Sequence, residues 1–307
     1  MNKFLFSIVV TTKNEEKNIQ NCLASIKNQS YQKLEIIIVD NFSTDKTVEI
    51  AKKYTNKVFL LGPERSAQRN YGMIKQSIGD FVVYIDADMI LSKRLLENCN
   101  IFLNNYPDIS GIFVPEIILG NNYWSKVRNF ERSFYNGTVI DACRVYKKDD
   151  FIKSGGFDEK IFVTGSGEDW DLDKSIKKIG KLALLNEIDK KTEKDDEWVL
   201  GNFIKNNYEK YNSRNVCIYH NENNFKILKY LKKKFQYTSA FDGYIKKWGN
   251  DEDIKKQLGW RYRFFIVFFE NGKWKKLIQK PSYVFGMYAL RFMVGMTFIF
   301  RKLIDGK

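Results

Sequence analysis

Residues 81–88 read Phe-Val-Val-Tyr-Ile-Asp-Ala-Asp. Five β-prone side chains in succession leave no polar face, which predicts a strand, Phe81–Ile85, buried on both sides. Asp86 and Asp88 follow at once, where the chain must turn. Upstream, Phe4–Val10 and Leu34–Val39 read as further buried strands, and Val58–Leu61 as a short one. Helical patterns lie between them. Ile19, Cys22, Leu23 and Ile26 fall on one helix face, Ser43-Thr-Asp-Lys-Thr supplies capping chemistry for a second helix, and Ser66–Ile78 is a third, closed by Gly79. Such alternation over the first 115 residues predicts right-handed crossovers and a mostly parallel, Rossmann-like α/β sheet flanked by helices.

Ligands of such sheets bind beyond the carboxyl ends of the strands. Thr11–Glu15, Asp40 and Asp86–Asp88 stand at those ends. Two carboxylates one residue apart on a tight bend suit a hard cation and the phosphates it bridges; capping of the next helix is the plainer alternative. Asp40 suits a pyrimidine imino group or a ribose hydroxyl, or else closes its own turn. Arg65 and Arg69 begin a helix facing the same crevice, where a guanidinium pairs well with a diphosphate.

After residue 115 the pattern loosens. Asn121–Phe134 reads as a helix, Val139–Tyr146 as strand-like, and Gly155-Gly156 as a turn; Gly165-Ser-Gly-Glu-Asp-Trp-Asp leads into a helix over about 169–179, and Lys181–Leu185 returns as a strand. Glu168, Asp169 and Asp171 gather at that helix start, where the dipole favours acids. One of them in reach of a metal site is a candidate general base. His220 is the one histidine, and imidazole is a good ligand for Mn²⁺-like ions.

The chain has 307 residues, against roughly 100–200 for a usual domain. With 44% apolar residues it has ample core and is not a disordered chain. Its net charge of +14 is unevenly placed: residues 1–200 hold 29 basic and 29 acidic side chains, residues 201–307 hold 22 and 8. The four cysteines show no metal spacing and read as ordinary thiols of a reduced compartment. MNKFLFSIVV reads better as a first strand than as a signal peptide, which places the chain on the cytoplasmic side.

These motifs together resemble glycosyltransferase family 2, inverting nucleotide-sugar transferases of the GT-A fold. SIVVTTKNEE, IIIVDNFSTDKT, SAQRNYG, GDFVVYIDAD, SGGFDEK and GEDWDL occur in that order across about residues 5–190. The resemblance implies that Thr11, Glu15 and Asp40 hold the nucleoside, with Arg69 and Asp86 near ribose or diphosphate. It implies that Asp88 binds Mn²⁺ or Mg²⁺ and that Asp169 is the base; from the residues themselves, His220 is a candidate further ligand, a structural role being the plainer alternative, and Glu168 is expected to support the acceptor. Asn41 stands where many members carry a second Asp, and DLDKSIKK lacks the Arg that many carry after the acidic motif. The expected layout is a catalytic domain over 1–222, with a nucleotide-sugar half to about 115 and an acceptor half over about 116–222. A basic, aromatic-rich helical region follows over 223–307.

Ser282–Phe300 is nineteen residues with a single charge, Arg291. A central Arg costs a spanning helix about 2.5–3.5 kcal/mol, and both flanks are basic, so an interfacial helix on the inner membrane leaflet is the favoured expectation. The expected partners are a nucleotide-sugar donor, a glycan or lipid-linked acceptor and an anionic membrane surface, with no nucleic acid. A nucleic-acid-binding protein would leave the acidic motifs idle. A sugar nucleotidyltransferase would want a Gly-rich N-terminal loop, which TTKNEE is not.

Overall fold

The structure is a computed structural model that describes residues 1–162, 167–185, 216–223, 225–237, 240–249 and 251–305. The strands in chain order are β1 (Phe6–Thr12), β2 (Leu34–Asp40), β3 (Val58–Leu60), β4 (Phe81–Asp86) and β5 (Met89–Leu91). They continue with β6 (Ile109–Phe113), β7 (Glu116–Leu119), β8 (Cys143–Lys147), β9 (Lys181–Leu184) and β10 (Ile218–Asn221). The helices that matter here begin with α1 (Ile19–Lys27), α2 (Thr47–Ala51), α3 (Arg65–Asn70), α4 (Leu95–Asn105), α5 (Tyr123–Arg132), α6 (Lys148–Lys153) and α7 (Glu168–Lys177). In the C-terminal region they are α8 (Ile227–Tyr237), α9 (Ala240–Trp248), α10 (Glu252–Leu258) and α11 (Pro281–Asp305).

The central sheet runs β3-β2-β1-β4-β8-β6-β9, with β5-β10-β7 as a second, smaller sheet. The pairs around β1, β2, β3 and β4 are parallel, as are β6 and β9; β8 is antiparallel to both neighbours. The expected mostly parallel sheet is present, with one reversed strand that the sequence reading did not foresee. Alternate residues explain the two covered faces. Phe6, Ile8 and Val10 pack with Ile19, Leu23 and Leu96 on one side. Val9, Val39, Val82 and Tyr84 pack with Met73, Phe157, Leu172 and Ile176 on the other.

Several boundaries differ from expectation for local reasons. The helix expected over Ser66–Ile78 is α3 followed by a π-helical turn, Tyr71–Gln76. Gly72 lies there so close to the sheet that a Cβ would come 2.4 Å from Val9 Cγ1, which only glycine tolerates. The helix announced by Ser43–Thr47 is short, beginning at Thr47, whose amide is held by Asp45 at 2.9 Å. The strand expected over Val139–Tyr146 is confined to Cys143–Lys147, since Thr138–Asp141 form a hydrogen-bonded turn. β5, α4 and β6, and beyond residue 115 also β7 and β10, are further elements that the sequence reading did not name. Residues 165–166 of the acidic motif and 186–215 of the acceptor half lie outside the described residues.

The C-terminal region lies against the α/β core. Val127, Phe130 and Phe134 share a buried cluster with Tyr262, Phe268 and Met287. Phe162 shares another with Tyr244 and Ile254. Arg291, read from sequence as the charge that argues against a spanning helix, is buried between α11 and α5: it pairs with Glu131 at 2.9 Å and also bonds Tyr135 and the Arg263 carbonyl. Burial against a partner carboxylate removes the lipid penalty from the question. All four cysteines are buried free thiols.

Candidate active site

Parallel register brings the first residues together. Thr11 lies opposite Asp86 and Thr12 opposite Asp40 at the carboxyl rim of the sheet. Asp40 is fully buried, and both of its oxygens are taken, by Thr12 Oγ1 at 2.6 Å and by the Ser43 amide at 2.7 Å. Its bonds to Ser43 close its own turn, the alternative weighed for it from sequence. Glu15 follows the turn and accepts from Asn18 at 2.7 Å. Burial raises its pKa against that hydrogen bond, and the charges of Asp88 and Asp86 add to the rise. Three carboxylates therefore share one corner.

Arg69 organises the next group. Its side chain is only 2% exposed, yet it reaches Asp86 at 3.0 Å, Asp169 at 3.2 Å and Glu168 at 3.4 Å. Arg65 pairs with Glu168 as well. Burial by itself would raise the Asp86 pKa, but Arg69, then Arg65 and Arg144, outweigh it and hold the carboxyl far below its ordinary range. Burial, then the neighbouring Asp169 charge, push Glu168 upward against the two arginines. Gly167 sits at φ 92°, a left-handed turn that swings α7 into place so that Glu168 and Asp169 enter the crevice. Asp169 also accepts the Tyr84 phenol at 2.8 Å.

β10 delivers His220 beside the acidic bend. Its Nε2 is 3.2 Å from Asp88 Oδ2, and its Nδ1 is 3.0 Å from Glu116 Oε1. Burial would lower the imidazole pKa, but Asp88 and Glu116 reverse this and raise it well above the ordinary value. Glu116 is in turn balanced by Arg144 at 3.3 Å and Arg132 at 3.5 Å. Among the described residues no three His, Cys, Asp or Glu side chains form a complete ligand set. The pair Asp88–His220 offers a hard oxygen and an imidazole nitrogen at the spacing of neighbouring ligands on one ion, and Mg²⁺-like cations commonly take only one or two protein ligands and complete their shell with phosphates. The donors fit a cation shared with a substrate.

The structure thus brings Thr11, Glu15, Asp86, Asp88, Arg69, Glu168, Asp169 and His220 to one rim, while Asp40 is closed within its turn. Sequence reasoning missed Tyr84, Glu116 and Arg144. Tyr84 carried one signal, because it shares a face of β4 with Asp86. Glu116, one acid in the run Val-Pro-Glu-Ile-Ile-Leu, was the other available signal.

Comparison with known proteins agrees with the fold. A stretch of 112 residues, 33% of this chain, is 35% identical to the poly(ribitol-phosphate) β-N-acetylglucosaminyltransferase TarS of Staphylococcus aureus, and covers 19% of that protein. Among the first curated relatives the matched stretches span 19% to 45% of their lengths. Among solved structures, the mannosyltransferase PcManGT of Pyrobaculum calidifontis, in complex with GDP-Man and Mn²⁺, superposes with a TM-score of 0.59 at 14% identity, covering 100% of this chain and 89% of that one. TarS 1–349 in complex with UDP-GlcNAc superposes at 0.52 and 17% identity, covering 99% and 92%. These likenesses establish the GT-A fold. The family model for glycosyl transferase family 2 matches residues 7–157, the segment that carries the strands and acidic bend described above. By that segment the chain belongs to glycosyl transferase family 2.

Proposed function

We propose that the protein is an inverting glycosyltransferase that moves a sugar from a UDP- or GDP-sugar to a hydroxyl of a glycan or lipid-linked acceptor at the cytoplasmic membrane face. The observation that supports this best is the single rim on which Asp88 and His220 stand beside the Arg69-linked carboxylates Asp86, Glu168 and Asp169. TarS and PcManGT, named for sugar transfer and solved with UDP-GlcNAc and with GDP-Man and Mn²⁺, are consistent with it.

In this reading Thr11, Glu15 and Asp40 line or shape the nucleoside end, and Asp86 with Arg69 frames the ribose and diphosphate. Asp88 and His220 would hold Mn²⁺ or Mg²⁺, which when bound neutralises charge on the departing diphosphate. Asp169 takes the proton of the acceptor hydroxyl as its oxygen attacks the anomeric carbon. The bond from that carbon to the diphosphate oxygen breaks on the opposite face, so the configuration inverts. Glu168, fixed by Arg65 and Arg69, holds the start of α7 in place. The layout remains a catalytic domain over 1–222 with a C-terminal region over 223–307 that meets an anionic membrane. Pro281–Arg301 is long and apolar enough to cross a membrane, and its outer face exposes Phe285, Phe292, Ile299 and Phe300 beside Lys275 and Lys280. Apolar contact plus basic flanks suits an interfacial helix.

The experiment is a panel of nucleotide-sugars with Mn²⁺, scored for nucleoside diphosphate release and for the anomeric configuration of the product. Diphosphate release with inversion is expected. Pyrophosphate release would favour a nucleotidyltransferase, and retention would remove the single-displacement reading.

A further inference from the structure

Tyr84 lies on β4, its ring 1% exposed and clamped by cations on two sides. The Arg69 guanidinium lies 4.3 Å from the ring centroid and that of Arg144 lies 4.9 Å away. Phe157 meets it edge-on at 5.3 Å. A phenol so held has one place for its hydroxyl, and it donates to Asp169 Oδ1 at 2.8 Å. Burial, then the Asp169 charge, push the phenol well above its ordinary pKa, so it keeps that proton. Arg69 Nη1 approaches the same oxygen at 3.2 Å. Both donors therefore fall on Oδ1, and Oδ2 accepts no bond among the described residues. The Asp169 side chain remains 27% exposed.

We propose that Tyr84 is a positioning residue for Asp169: with Arg69 it pins one carboxylate oxygen and so presents the other to the acceptor hydroxyl. The inference rests on the reading of Asp169 as the base. A carboxylate free to rotate offers either oxygen in many directions, and a base must lie within hydrogen-bond reach of its proton along one of them. The charged and titratable groups around it are Arg65 and Arg69 from α3, Tyr84 and Asp86 from β4, Arg144 and Tyr146 from β8, and Glu168 and Asp173 from α7.

The test is Tyr84→Phe beside Asp169→Asn in the full chain. Phenylalanine keeps the ring and its cation clamps and removes only the hydroxyl. Turnover in Tyr84→Phe should fall about ten- to hundredfold with the donor KM within about twofold. Asp169→Asn should lose about 10²–10⁴-fold. If Asp169→Asn is inactive while Tyr84→Phe matches the wild type in turnover and in donor KM, the positioning role is overturned and the base survives. If Asp169→Asn turns over normally, the base reading itself falls. A crystal structure of Tyr84→Phe gives a readout free of activity: the Asp169 carboxylate should rotate, and an unmoved side chain would overturn the inference.

Discussion

The indole Nε1 of Trp248 donates to Asp171 Oδ1 at 2.6 Å, while Lys247 Nζ reaches Oδ2 at 2.8 Å. Asp171 is the third acid of the Glu168–Asp171 cluster, yet it takes no part in the crevice. It is buried on the far side of α7, where α9 satisfies it. The C-terminal region is therefore part of what keeps α7, which carries Glu168 and Asp169, in place. Removing everything after residue 222 would strip Asp171 of both partners and leave α7 without the helix that meets it there. It would also expose the apolar clusters on α5. The truncated chain should lose its cooperative melt by circular dichroism, and a sharp transition near that of the full chain would refute this.

Arg291 and Glu131 form a second such tie, between α11 and α5, with side chains 7% and 8% exposed. Arg291→Ala should destabilise the chain by about 3 kcal/mol, because Glu131 keeps its charge without its principal partner. The double replacement Arg291→Met with Glu131→Leu should recover much of that loss in urea unfolding. Equal losses in the single and the double variant would show that the pair is not the source.

Asp88→Asn should leave the melt unchanged, since this side chain is 31% exposed and lies at the rim. It should weaken Mn²⁺ binding, read directly by the electron paramagnetic resonance of free Mn²⁺, by about tenfold or more. Turnover should fall with it. Undiminished activity in excess chelator would exclude a metal requirement.

Asp173 carries the clearest pH signature. Burial, against hydrogen bonds from Tyr146 and the Cys143 amide, pushes its carboxyl up to about 7. The folded chain then holds a proton that the unfolded chain releases from the ordinary value of 3.8 upward. Stability contributed at this site falls as pH rises through that window and levels off above about 7. The stability of Asp173→Asn relative to the wild type should therefore increase between pH 5 and pH 8, by roughly 1–3 kcal/mol. Parallel pH curves for the two proteins would count against it.

Membrane docking predicts that the full chain sediments with anionic vesicles. Serine at Phe285, Phe292 and Ile299, all exposed on α11, should abolish most of that binding. High salt should release the wild type only in part, since apolar contact is not screened. Complete release by salt would leave electrostatics alone, and binding unchanged in the serine variant would place the contact elsewhere.

The strands of the first half were legible because Phe81–Ile85 and its companions are buried on both faces, which leaves an unbroken apolar signature. The acids at their ends were legible for the same reason, as polar residues stranded at a boundary. β8 was harder to place. Strand direction depends on what lies beside a strand, and nothing in Cys-Arg-Val-Tyr-Lys encodes that. Tyr84 was hidden because a tyrosine in an apolar run reads as core, and its hydroxyl finds Asp169 only through the sheet's packing on α7. Arg291 misled in the opposite sense. One charge amid apolar residues looks like a cost until the carboxylate 160 positions earlier, Glu131, is seen beside it.

β10 lies between β5 and β7, and His220 meets Asp88 across 132 positions of chain. A growing polypeptide completes β1 to β4 early, from near neighbours in sequence. The slot between β5 and β7 can be filled only once residues 218–221 have been made. Loop closure over such a span is slow beside local pairing. During synthesis, β1 to β4 can therefore form well before the histidine arrives. His220 is therefore among the last of the rim residues to arrive.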